Sequence, residues 1–260
     1  MLSAGQISFY QDAGYLVTDD IFSTDELDDL EREFDGIIER RLAKKGQIQA
    51  IWDGNWQKKY PNQKPLVHTH DLQAYSAAWT RILVHTRFTE AISDLMGCPN
   101  VQLHHTKMFL KPTESGSGFP MHQDYHYFPH ENDTMMAGVL HLTDSTDEMG
   151  CIRVVPTSHK LGPLEPYEHR YLDPKEYPIE AATACVAKRG DVLFFSYLTI
   201  HGSSPNRSDK LRKTVLFQVR DPSDSPLKDT HRSHAQGLIM RGVDPLAKRA
   251  TAKGTLDDRS

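Results

Sequence analysis

The residues best suited to chemistry in this sequence are His122, Asp124, His201 and Arg212, with Gln123 between the first two. Two imidazoles and one carboxylate form the facial triad that holds Fe(II) in non-haem oxygenases and leaves metal positions open for a co-substrate and O2. His122 and Asp124 stand two residues apart. On an extended strand, positions i and i+2 share a face about 7 Å apart, so both side chains can lean onto one ion. A carboxylate in an apolar strand is costly unless it is paired, which also points to a partner for Asp124. The third ligand must come from elsewhere. His201 is the best candidate, because Gly190-Asp191 turns the chain into the apolar run from Val192 to Ile200 and His201 opens the turn that follows.

An H-x-D triplet alone also arises by chance, and this chain holds 14 histidines. His126 is a rival on the same strand face, but about 13 Å from His122, which suits a supporting or substrate contact better. His104, His105 and His141 fall in strand-like segments and read as pocket lining or as satisfied core histidines. Arg212 offers a planar fork that matches a carboxylate and that lysine cannot copy. Arg207, Lys210 and Lys213 lie close by, so a solvated loop arginine is the competing reading.

The elements that must position these groups change character along the chain. Ser3-x-x-Gln6 and Ser23-x-x-Glu26 are capping-box patterns. The second opens an amphipathic helix with Leu27, Leu30, Phe34, Ile37, Ile38 and Leu42 at steps near three and four, stopped at Lys44-Lys45-Gly46. Gly14–Val17 reads as a short strand. Residues 50–68, with Trp52, Asn55, Trp56 and Tyr60, read as a loop or lid, followed by helices near 70–84 and 87–96. From Val101 onward the pattern is of short strands: Val101–Lys111, Phe119–His126, Met135–Leu142, Ile152–Pro156, Ala184–Val186, Val192–Tyr197 and Thr214–Val219. Helices followed by a run of strands argue against alternating βαβ units and predict a β-sandwich or barrel with flanking helices. The chain divides into helical support and lid (1–100), a β core (101–220) and a C-terminal extension (221–260), all within one domain. Its last ten or so residues are expected to be mobile, and the stretch from His231 to Gly242 is a second candidate for closing over the site.

Composition narrows the class. At 260 residues, with 38% hydrophobic and 25% charged residues, the chain can bury a full core. No apolar run is long enough for a bilayer. The net charge of −5 and the lack of a nucleic-acid signature argue against a nucleic-acid partner. The basic cluster Arg40, Arg41, Lys44 and Lys45 reads as a solvated helix end. Three widely spaced cysteines, Cys98, Cys151 and Cys185, do not form a disulfide framework. With neither a signal peptide nor a peroxisomal tripeptide visible, a cytoplasmic protein is expected.

Three blocks in order resemble the phytanoyl-CoA dioxygenase family of Fe(II)/2-oxoglutarate oxygenases. They run from Phe119 to Pro129 (FPMHQDYHYFP), from Met149 to Lys160 (MGCIRVVPTSHK), and from Gly190-Asp191 through His201-Gly202-Ser203 to Arg212. The likeness extends from about residue 7 to residue 220. It implies a double-stranded β-helix, a jelly-roll relative of the cupins. It makes His122, Asp124 and His201 the iron ligands and Arg212 the partner of the distal carboxylate of 2-oxoglutarate, with Ser203 adding a hydrogen bond. Gln123 takes a supporting role, Gly150 and Pro156 shape a turn and a strand, and His159 holds a turn. One departure stands out. Many members carry a tryptophan in the strand after H-x-D, where this chain reads Ala137-Gly138-Val139-Leu140-His141-Leu142.

The reaction so implied consumes O2 and 2-oxoglutarate, releases succinate and CO2, and hydroxylates a small-molecule substrate, either a specialised metabolite or a small acid. Lys107, Lys111 and Arg153 are candidates for attracting an anionic one. The carboxylate of Asp124 fills the position where a Gly or Ala would admit a halide, which favours hydroxylation over halogenation. Competing readings are an acyl-CoA 2-hydroxylase, a cupin-like metalloenzyme that needs no 2-oxoglutarate, and a binding module that has kept the fold. Arg212 discriminates against the cupin-like enzyme, which has no use for a carboxylate clamp, and the intact triad together with Arg212 argues against a binding module, which could lose any of these freely.

Overall fold

A computed structural model describes residues 2–42, 62, 67–114 and 116–247. The aromatic loop carrying Trp52, Asn55, Trp56 and Tyr60, the Lys44-Lys45-Gly46 helix stop and the final residues lie outside the described residues. Helix α1 (Ala4–Ala13) begins with the expected box: Ser3 Oγ accepts from Gln6 N–H, and Gln6 Oε1 accepts from Ser3 N–H at 2.9 Å. Gly14 ends it at φ 81°, a left-handed cap that suits glycine. Strand β1 (Tyr15–Thr18) follows. Helix α2 (Thr24–Leu42) is opened by Ser23 and Glu26, with Ser23 N–H donating to Glu26 Oε2 at 2.8 Å. Its buried face is Leu27, Leu30, Phe34 and Ile37.

The predicted helix near 70–84 is mostly something else. Residues Val67–His70 form strand β2, Leu72–Ala74 a 3-10 turn, and only Ala77–Ile82 an α-helix, α3. β2 pairs with the long strand β3 (Val101–Lys111), Val67 opposite Leu110 and His70 opposite Lys107. Pairing along an otherwise open edge overrides local helix preference. Helix α4 (Thr86–Met96) ends at Gly97, as expected.

The remaining strands are β4 (Phe119–His122), β5 (Met136–His141), β6 (Ile152–Val154), β7 (Thr183–Ala184), β8 (Val192–Ser196), β9 (His201–Ser203), β10 (Arg212–Arg220) and β11 (Ile239–Arg241). They form two antiparallel sheets. The larger runs β1-β8-β5-β10-β3-β11, with β2 also on β3, and the smaller runs β4-β9-β6-β7. The fold is thus mainly β with flanking helices, a double-stranded β-helix of the jelly-roll kind. Strand residues divide by parity, as a pleat requires. On β8, Val192 and Phe194 join the core under the helices, while Leu193 and Phe195 meet Ala137, Val139, Val154 and Cys185 between the sheets. The cluster under the helices draws side chains from Tyr10 to Met240, so helices and larger sheet share one core. Among the described residues, no helix is long and apolar enough to cross a membrane.

Two local departures matter for the site. The predicted strand Phe119–His126 stops at His122, and Asp124–His126 is a single 3-10 turn. His201, expected to open a turn, instead begins the short strand β9.

Candidate metal centre and its cavity

Strand β4 lies antiparallel to β9 with His122 directly opposite His201. Cross-strand neighbours bring their side chains together, and the two imidazole centroids are 4.2 Å apart. Asp124 reaches the pair from the 3-10 turn: its Oδ1 is 3.5 Å from His122 Nε2 and 3.7 Å from His201 Nε2. One donor atom from each residue falls within 4.8 Å of the others.

The outer nitrogens fix which way the rings present themselves. His122 Nδ1 lies 2.9 Å from the Pro120 carbonyl, and His201 Nδ1 lies 2.9 Å from the Thr199 carbonyl. A carbonyl only accepts, so each Nδ1 carries a proton and each Nε2 is the ring atom directed inward. Burial, with His122 beside it, holds His201 down to about 4. Burial alone would raise Asp124, but His201, His122 and Lys107 outweigh it and keep the carboxyl below its ordinary value. Two imidazole nitrogens and one carboxylate oxygen therefore converge. First-row metal bonds of about 2.1 Å place neighbouring ligands roughly 3 Å apart, so small side-chain movements close this set around an ion. The donor types suit Fe(II).

Gln123, between His122 and Asp124, points away from the cluster and is fully buried. Its Nε2 donates to the carbonyls of Leu198 at 2.7 Å and Gly162 at 2.9 Å, and its Oε1 accepts from Leu164 N–H at 2.9 Å. One side chain thereby ties the H-Q-D segment to the approach to β9 and to the loop after β6.

The cluster opens into a cavity of about 810 Å³, open mouth included, bounded by both sheets. Arg212 and Ser203 line it with the three clustered residues, and so do Lys107, His105, Tyr127 and His231. Arg212 is buried and donates through Nη1 to the Gly150 carbonyl, while its Nε has no hydrogen-bond partner. Burial lowers the guanidinium only to about 10, so it stays charged at neutral pH. A buried, charged and partly unsatisfied fork is what a carboxylate completes. Ser203 Oγ accepts from Lys111 Nζ at 2.8 Å, and the same ammonium donates to Ser204 O at 2.6 Å and Gly150 O at 3.1 Å. Gly150 sits at φ 65°, where an added Cβ would lie 2.2 Å from the Ser204 carbonyl, so the turn behind Arg212 requires glycine.

Other predicted candidates fall elsewhere. Lys111 serves those three acceptors and does not line the cavity, and Arg153 pairs with Asp147 and the Ala182 carbonyl. His126 lies on the 3-10 turn against Tyr125, outside the cavity lining. His141 is a buried core residue, Nδ1 to Asp191 O at 3.2 Å. His159 contacts the Gln11 carbonyl through Nε2, holding a turn. Of the neighbouring pair, His105 lines the cavity, whereas His104 packs on Phe128 and His130. His70 comes close to His105 and His231. Sequence reasoning missed it because it was assigned to a helix.

The sequence profile of the family described as Phytanoyl-CoA dioxygenase (PhyH) matches residues 10–214. The chain belongs to the phytanoyl-CoA dioxygenase family. It is 26% identical over 272 residues to the peroxisomal phytanoyl-CoA dioxygenase of Rattus norvegicus, covering 99% of this chain and 79% of that one. Among solved structures, the non-haem alpha-ketoglutarate-dependent carbocyclase SnoK from nogalamycin biosynthesis superposes with a TM-score of 0.70 at 21% identity, covering 86% of each chain. EctD from S. alaskensis, solved with 2-oxoglutarate and 5-hydroxyectoine, gives 0.68 at 21% identity over 84% of this chain and 76% of that one. As a member of the phytanoyl-CoA dioxygenase family, the chain is an Fe(II)- and 2-oxoglutarate-dependent dioxygenase that uses O2. A cupin-like metalloenzyme without 2-oxoglutarate is set aside.

Proposed function

We propose that His122, Asp124 and His201 hold the Fe(II), that Arg212 receives the distal carboxylate of 2-oxoglutarate with Ser203 beside it, and that the enzyme hydroxylates a small molecule. One observation carries this reading: an unpaired, buried guanidinium nitrogen and three metal-spaced donors share one cavity. When bound, Fe(II) supplies the coupling of O2 reduction to 2-oxoglutarate decarboxylation and substrate oxidation, with succinate and CO2 released.

The chain's own residues do the rest. The Pro120 and Thr199 carbonyls hold both Nδ1 atoms outward and so aim both Nε2 atoms inward. Gln123 fixes the short segment that carries two of the three ligands. Arg212 sets the co-substrate's position along the barrel, and Phe119, Val139, Ile152 and Phe195 give the cavity apolar walls that exclude water. The substrate class is a small acid or specialised metabolite rather than an acyl-CoA. A cytoplasmic location and a single domain spanning residues 1–260 belong to the same reading.

The test is an anaerobic titration of metal-free protein with Fe(II) and 2-oxoglutarate, followed through the weak visible charge-transfer band of a chelated keto acid. The band is expected in the wild type and weakened in Arg212→Ala. Its absence from folded, iron-loaded protein overturns the site assignment.

A further inference from the structure

The cavity wall contributed by β10 ends in an unsatisfied side chain. Arg212, Thr214, Leu216 and Gln218 alternate along one face of β10, and all four line the cavity. Gln218 is fully buried, and among the described residues neither its Oε1 nor its Nε2 has a hydrogen-bond partner. A side-chain amide carries one acceptor oxygen and two N–H donors. Leaving all of them unused in a buried place costs free energy, so such a group calls for a partner. The register of β10 on β3 shifts directly after Gln218, and a bulge beside a site serves to re-aim a side chain.

The strands around Gln218 place it beside the metal cluster. Gln218 lies opposite Ala137 on β5 and His105 on β3. Ala137 lies in turn opposite Phe195 on β8, whose ring is 4.4 Å from that of His201. Gln218 therefore stands two strand spacings, about 10 Å, from the wall behind His201, a distance that a small molecule spans. It is six residues from Arg212, about 20 Å along β10, and so at a different level from the co-substrate's clamp. His231 Nε2, also buried without a hydrogen-bond partner, joins this level through its ring, 4.3 Å from that of His105. Burial first of all holds His105 and His231 below the ordinary histidine value, so both are neutral there. Lys107, two residues along β3, has the charge of Asp124 to answer its own. Resting on the function proposed above, we propose that Gln218 selects the substrate by binding a neutral group with a donor and an acceptor side by side: a carboxamide, a lactam or a ureido group. Such a group meets Gln218 as one amide meets another, its N–H donating to Oε1 and its carbonyl accepting from Nε2. A carboxylate has no N–H to give and leaves Oε1 unused. His231 Nε2 makes one further bond to the same group.

The experiment uses full-length protein carrying one equivalent of Co(II), a paramagnetic stand-in for iron, and 2-oxoglutarate. Benzamide, benzoate and benzyl alcohol share a ring that suits the apolar walls and differ in the group they present to Gln218. Each is titrated, with saturable broadening of its ring-proton lines as the readout. Wild type should bind benzamide about ten-fold or more tightly than either of the others. Gln218→Met, similar in length but without the amide, should bring benzamide down to their level. The same variant should raise the melting midpoint of the ligand-free protein, because it removes an unsatisfied buried group. A glutamine with a merely structural role would lower that midpoint when replaced, and this result overturns the inference. Equal binding of the three probes by wild type, or tighter binding of benzoate or benzyl alcohol, also overturns it, and in protein that forms the Fe(II)/2-oxoglutarate charge-transfer band the iron site is left standing. So does a preference for benzamide that survives in Gln218→Met. If the band never forms in wild type, the iron and co-substrate assignment fails, and saturation-transfer titrations of the same probes into metal-free wild type and Gln218→Met decide the amide site by themselves.

Discussion

Gln123 makes a sharp test of how the metal cluster is held. Replacing it with leucine keeps the approximate volume but removes two donated hydrogen bonds and one accepted one. It also strands the carbonyls of Gly162 and Leu198 and the N–H of Leu164. At about 1 kcal/mol net for each bond, the loss is about 3 kcal/mol. A chain of this size shifts by roughly 2–4 °C per kcal/mol, so the melting midpoint should drop by about 6–12 °C. Gln123→Glu should be worse, because a carboxylate can still accept from Leu164 but faces two carbonyl oxygens to which it cannot donate. Urea unfolding of the metal-free protein measures the stability, with an unchanged slope expected. Co(II) titration of the folded variants measures the second consequence. A support one step behind metal ligands typically contributes about 10–100-fold in affinity. A Gln123→Leu variant within about 0.5 kcal/mol of wild type, binding Co(II) equally well, would refute the claim that this side chain organises the site.

Other expectations follow from the same geometry. Arg212→Ala should raise the half-saturating concentration of 2-oxoglutarate by about 30-fold or more while leaving Co(II) affinity unchanged, and Arg212→Lys should recover little of the loss. A full rescue by lysine would mean that charge alone is used there. Asp124→Ala should abolish tight Co(II) binding while preserving the fold, as read by calorimetry and circular dichroism, since the carboxylate lies on a turn outside both sheets. Burial holds His141 at about 4, against 6.5 for an unperturbed histidine. The unfolded chain then binds more protons between these values, so stability is full above about pH 6.5 and falls as the pH drops towards 4. The difference amounts to roughly 3 kcal/mol from His141. In metal-free protein, His141→Gln should flatten this part of the stability–pH curve, and an unchanged slope would contradict it.

The locally encoded features of the fold were the easier ones to read from sequence. Strand Val101–Lys111 was predicted with the bounds it has in the structure, because the Pro99-Asn100 and Pro112 breakers bracket it. Both capping boxes were legible because they are local hydrogen-bond codes. The His122–Asp124 pairing was expected from strand periodicity, yet the structure brings the two together through a 3-10 turn. Only the cross-strand register of His122 on His201 shows how the distant histidine arrives. Strand β9 is too short at three residues to leave a periodic signal. β2 was read as the end of a loop and the start of a helix because its pairing partner lies some forty residues away, and His70 was lost to the site with it. The role of Gln123 was half visible: its outward direction followed from alternation, but its three backbone partners come from loops that no pattern announces.

The carbonyls of Pro120 and Thr199, each two residues before the histidine it orients, have a consequence for how this enzyme can change over generations. Ring orientation here is written into the main chain, so no second side chain must be kept to preserve it. Substitutions at Phe119, Val139, Ile152 or Lys107 can reshape the cavity while the imidazoles go on facing the same point. Such a centre tolerates drift in its walls, and one scaffold can be retuned to new substrates without first rebuilding its metal.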